Sequence, residues 1–137
     1  MSVWADIPAA ALSGSSGALV SISIDVPARD LEDLLETLAR LSFPVNPQIY
    51  HEAAMVYVFA DGSQKTEAAT LVEFPAYAGQ LAEVREGLAG AGFNPSRVQV
   101  IDMLAAIHGE PLLEAAPPGV PYAGRFRQRF RAAPAVR

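Results

Sequence analysis

Two acids, two histidines and a run of alternating arginines are the residues here whose types and spacing bear on chemistry. Asp25 and Glu73 hold equivalent places in two similar segments, Ile24-Asp25-Val26-Pro27-Ala28 and Val72-Glu73-Phe74-Pro75-Ala76, 48 residues apart. Paired carboxylates hydrolyse glycosidic bonds when they stand roughly 5–9.5 Å apart. Each acid lies just before a strand-stopping proline. At a rise of about 3.3 Å per residue, antiparallel neighbours of that kind hold them more than ~10 Å apart. Two solvated strand-end acids are expected, not a dyad. His51 and His108 share no metal-ligand spacing and are expected at the surface. Ser13-Gly14-Ser15-Ser16-Gly17 follows no strand and has no lysine, so it reads as a linker and neither a nucleophile elbow nor a phosphate loop. The chain has no cysteine, which removes disulfides, thiolate zinc sites and cysteine nucleophiles. No catalytic residue, metal site or cofactor is expected.

The elements that must position these residues follow from hydrophobic spacing. Val20, Ile22, Ile24 and Val26 alternate with Ser21, Ser23 and Asp25, the period-two pattern of a half-buried strand. Leu31, Leu34, Leu35, Leu38 and Leu41 form one apolar stripe on a helix that Asp30 is placed to cap and that Pro44 and Pro47 follow. Residues 47–60 are rich in β-formers and make one bent strand or two. Asp61-Gly62-Ser63-Gln64-Lys65 is turn chemistry leading by a hairpin into Ala69–Phe74, which Pro75 is expected to stop. A second helix around Ala78–Ala91 and a last strand over Arg97–Leu104 complete a β-α-β-β-α-β order. The two proline-ended segments, with their following leucines, repeat at offsets of 48 to 50 residues.

Of 137 residues, 51% are hydrophobic and 18% charged, the composition of one folded domain. No apolar run is long enough for a membrane-spanning helix, and the start lacks the basic flank of a secretory signal, so a cytoplasmic protein is expected. The net charge of −5 is unevenly spread. Residues 1–124 carry all 15 acids against five bases, whereas residues 125–137 carry five arginines and no acid. An acidic body disfavours nucleic acid, while the basic end leaves it open. The expected organisation is a flexible arm over 1–17, a folded domain over 18–104, an irregular extension with a proline-rich spacer over 105–124, and an Arg-rich tail over 125–137. The tail, Arg125-Phe126-Arg127-Gln128-Arg129-Phe130-Arg131, is expected to be dispensable for folding and to act through charge.

On the element order and the paired proline-ended strands, residues 18–104 resemble the ferredoxin-like α+β fold. The likeness extends to small regulatory modules such as ACT and PII-like domains and to the dimeric α+β barrels. That resemblance implies a four-stranded antiparallel sheet with two helices on one face, and a second face open to a ligand or a second copy. On that open face we place Ser21, Ser23, Tyr57, Phe59, Glu73 and Gln99, with His51 nearby, as candidate ligand-binding residues. The mixture of serine, aromatic and aliphatic side chains argues for cover by a second copy, so a homodimer is expected. The leading functional expectation is a non-catalytic regulatory or ligand-binding module that dimerises through its sheet. One alternative is a cofactor-free enzyme using Tyr57, His51 or Glu73 in a cavity at the sheet face. The other is an interaction module using Arg125, Phe126, Arg127, Arg129, Phe130 and Arg131. A small-molecule ligand is the expected partner besides the second copy.

Overall fold

A computed structural model describes residues 13–14, 17–108 and 112–129. In chain order the elements are β1 (Ser13–Gly14), β2 (Gly17–Val26), α1 (Leu31–Ala39), β3 (Gln48–Val58), β4 (Gln64–Tyr77), α2 (Leu81–Gly90), β5 (Val98–Asp102), α3 (Met103–His108), β6 (Glu114–Ala115) and β7 (Gly124–Gln128). Six of the strands form one antiparallel sheet in the order β5-β2-β4-β3-β7-β6, and β1 adds two residues against the start of β2.

The alternation of Val20 to Val26 does make β2, which is flanked by β4 on one side and β5 on the other. Ile22, Ile24, Val72, Phe74 and Val98 point to one face, where Leu34 and Leu38 of α1 and Val84 and Leu88 of α2 pack on them. The leucine stripe buries Leu34 and Leu38 fully and Leu31 and Leu35 in part. Asp30 makes no side-chain cap bond, although Glu32 and Asp33 lie in the favourable first turn. The internal repeat has a spatial counterpart. Ile24 stands directly opposite Val72, with Ile22 opposite Phe74 and Val26 opposite Thr70, so a local twofold passes through the Ile24–Val72 pair.

The expected four-stranded, ferredoxin-like sheet with two helices on one face is overturned. Among the described residues the sheet has six strands, it curls into a half-barrel, and there are three α-helices. Three sequence readings account for the difference. Arg97–Leu104 is not one strand: β5 ends at Asp102, and Met103–His108 turn into α3 beside the second face of the sheet. Residues 124–128 are not an appendage. β7 pairs with β3 over five register positions, from Ala54 opposite Gln128 to Val58 opposite Gly124, and so satisfies a flank of β3 that would otherwise be bare. Phe130 and Arg131 lie outside the described residues. Pro75 does not stop β4, which runs on to Tyr77. β3 has already left β4 opposite Glu73, so one flank of β4 is unpaired there and tolerates a residue with no amide hydrogen.

Residues 48–58 form a single strand whose register with β4 shifts between Tyr50 and Ala53, a bulge centred on His51 and Glu52. The Asp61–Lys65 turn is as expected. Gly62 takes a positive φ of 89°, and Asp61 Oδ1 accepts from the Ser63 amide and hydroxyl. At the far edge, β6 approaches β7 so closely that a Cβ on Gly124 would lie 3.0 Å from Leu113 Cδ1 and 3.1 Å from the Glu114 carbonyl oxygen.

Because β7 belongs to the sheet, a chain ending at Tyr122 should lose its cooperative melt. Circular dichroism and urea titration of the shortened chain check this; an unchanged melting temperature would show that β7 is dispensable.

Candidate functional site

The second face of the sheet carries the side chains that alternate with the core: Ser21, Ser23 and Asp25 on β2, Leu71 and Glu73 on β4, and Gln99 on β5. β3 adds Gln48, Tyr50, Met55 and Tyr57, and β7 adds Arg125 and Arg127. This face is concave. β7 and β2 are separated by two strands, about 14 Å in a flat sheet, yet Arg127 Nη2 donates to Asp25 Oδ1 at 2.7 Å.

That contact anchors an ion-pair network. Asp25 is 1% exposed and the Arg127 side chain 4%. Asp25 Oδ2 accepts from Arg97 Nη1 at 2.7 Å, Arg127 Nη1 donates to Glu114, and Arg127 Nη2 also donates to the Arg97 carbonyl oxygen. Arg125 reaches the Ser96 carbonyl oxygen and stands 3.7 Å from Glu114. The hydrogen bond that Arg97 donates to Asp25 raises the Arg97 pKa further above its ordinary value, against the opposing effect of burial. Among the described residues, Arg127 Nε is the buried side-chain polar atom left without an acceptor. The network ties β2, the approach to β5, β6 and β7 together, and its members are occupied with one another.

A second, smaller cluster lies further along the face. Arg129 Nε donates to both oxygens of Glu73, at 2.9 and 3.1 Å, and Ser23 Oγ donates to Glu73 Oε2 at 3.3 Å. The Arg129 guanidinium lies 5.9 Å from the centre of the Tyr50 ring. Beside this cluster the face opens into a groove of about 550 Å³. Ser21, Gln48, Tyr50, Glu73 and Arg129 supply its polar side, while Met103, Ala106 and Ile107 of α3 supply the opposite wall.

Several expectations change against this geometry. Asp25 and Glu73 are not at opposite edges. Glu73 faces Ser23 and Asp25 faces Leu71, which makes the two acids diagonal neighbours with about 7–8 Å between them. β4 continues through Pro75 to Tyr77, which puts Glu73 in the middle of its pairing with β2 and not at a strand end. Each acid is held by its own arginine, Asp25 by Arg127 and Glu73 by Arg129. Ser21 and Glu73 line the groove, and Ser23 sits beneath it on Glu73. Gln99 lies across the face, its amide 3.5 Å from the Leu112 carbonyl oxygen. Tyr57 packs edge-on against Tyr122, with ring centres 4.8 Å apart. Burial, then the Glu67 charge, raise the pKa of its phenol above the ordinary value. Phe59 belongs to the hairpin turn, where its amide donates to the Ser63 carbonyl oxygen. His51 is exposed in the bulge. Phe126 stands opposite Val56, on the other face from the arginines.

Gln48, Tyr50, Met103, Ala106 and Ile107 were missed. The bulge breaks the alternation of β3 just after Tyr50, so parity read back from Tyr57 does not reach it. Met103 and Ile107 do stand four apart, a helical spacing that was legible in the sequence. The chain matches no family model, and no curated protein or solved structure is significantly similar to it.

Removing one member of a buried pair strands the other charge. Asp25→Ala and Arg127→Met should each cost about 3–5 kcal/mol, and the double variant Asp25→Leu/Arg127→Met much less than their sum. Urea unfolding of the single and double variants measures the coupling; additive losses would show that the pair is not the unit it forms here.

Proposed function

We propose that this chain is a non-catalytic binding module that seats a small molecule in the groove between α3 and the concave face of the sheet. The observation that carries the reading is the make-up of that groove. Its volume of about 550 Å³ falls within the roughly 300–1,000 Å³ of small-ligand sites, which pair apolar walls with a few placed polar groups. Here an apolar helix face, Met103, Ala106 and Ile107, opposes the polar row of Ser21, Gln48, Glu73 and Arg129.

Two further points support binding over the alternatives. Tyr57 packs against Tyr122 and His51 lies in the exposed bulge, and neither lines this groove. Arg125, Arg127 and Arg129 all have acidic partners in the same chain, which leaves less charge for a tail-mediated interaction.

The test is a titration of the 15N-labelled protein with a panel of small aromatic and aliphatic fragments. Amide shifts should cluster at Ser21, Tyr50, Glu73 and Ala106, and Ala106→Trp should abolish them by filling the groove while the remaining spectrum is kept. Shifts confined to other surfaces, such as the apolar cleft formed by Leu35, Phe43 and Val45, would overturn the reading.

A further inference from the structure

The groove's polar side is dominated by one cation in an unusual state. Arg97, Arg125 and Arg127 each commit a terminal guanidinium nitrogen to a protein acceptor. Arg129 does not: it holds Glu73 through Nε, and its terminal nitrogens donate no hydrogen bond among the described residues. Its side chain is 23% exposed. The guanidinium is nevertheless held in place, by Glu73 through Nε and by the Tyr50 ring beside it.

Its neighbours reinforce the pattern. The Tyr50 hydroxyl donates to Gln48 Oε1 at 2.9 Å, which leaves the Gln48 amide nitrogen to donate elsewhere. Glu73 already accepts from Arg129 and Ser23, so the acid is engaged and the cation is the open half of the pair. The facing wall is apolar, and Ile107 on it is 72% exposed. One side of the groove therefore offers donors in a planar fork and the other offers hydrocarbon.

Resting on the binding reading above, we infer that the ligand is a small monocarboxylic acid with an apolar body. Its carboxylate lies across the terminal nitrogens of Arg129, and its body lies against Met103 and Ile107. Two N–H groups in one plane match a carboxylate's two oxygens, and hydrogen bonds between charged groups are roughly twice as strong as neutral ones. A single negative charge is preferred to the double charge of a phosphate monoester, because attraction to one guanidinium grows in proportion to the ligand's charge, whereas the cost of taking the anion out of water grows with its square.

The experiment compares 3-phenylpropanoate, 3-phenylpropanamide and phenyl phosphate by the same amide-shift titration on the unaltered full chain. The acid should perturb Ser21, Glu73 and Ala106 and bind about tenfold or more tightly than the amide, with the phosphate weaker than the acid. Arg129→Gln should bring the acid down to the amide's affinity, and Arg129→Lys should recover only part of the difference. Since Arg129 also holds Glu73, the acid–amide comparison on the unaltered protein stands even where a variant unfolds. Equal binding of acid and amide in the groove, or tighter binding of the phosphate, would overturn the carboxylate assignment and leave the groove reading intact. If neither acid nor amide perturbs the groove while neutral fragments do, the assignment likewise falls. If no fragment perturbs the groove, the binding reading itself fails.

Discussion

Asp25 and Arg127 stand 102 residues apart in the chain and 2.7 Å apart in the fold, and the concave face is arranged around that contact. Burying either charge alone costs several kcal/mol, by order of magnitude, so each is tolerable only with the other present and with its remaining hydrogen bonds met. Asp25 meets this with two arginines, one on each oxygen. Arg127 meets it with Asp25, Glu114 and the Arg97 carbonyl oxygen. The contact also requires the curl. Two strands lie between β2 and β7, and only a sheet bent toward this face lets an arginine reach across them.

The two faces of the sheet thus do different work. The helix-covered face is an apolar core made from two copies of one pattern, related through the Ile24–Val72 pair. The concave face departs from that symmetry because β7 and β6 are added beside β3 alone. Their arginines fill the part of the face nearest Asp25 with ion pairs. Toward Ser21 and Glu73 the filling stops, and α3 stands off as a wall and not a lid. The groove lies where the charged network ends and the helix begins. Ser21, Ser23 and Asp25 of this face are all buried within the one chain.

The local elements are legible in the order of residues alone. Period-two alternation placed β2, the leucine stripe placed α1, turn chemistry placed the β3–β4 hairpin, and the proline-marked repeat anticipated two equivalent strand–helix units. These features depend on neighbours a few residues apart, and the sequence states such relations directly. The alternation of Arg125, Arg127 and Arg129 with Phe126 and Gln128 was equally visible, and it is the pattern of a strand. Taken alone, such a segment is expected to stay solvated, because alternating charge normally faces water. Only the tertiary structure supplies the acids that make such a strand buriable: Asp25, Glu73 and Glu114 come from three other strands, and nothing in their local sequence points to an arginine partner. The position of Glu73 beside Asp25 was decided in the same way, by β4 continuing through Pro75 where its neighbour had already ended. So was the groove, whose polar side and apolar wall come from segments of the chain that meet only when the sheet curls and β5 gives way to α3. Pairing across a sheet depends on which strands become neighbours, and that choice is made by the whole chain at once.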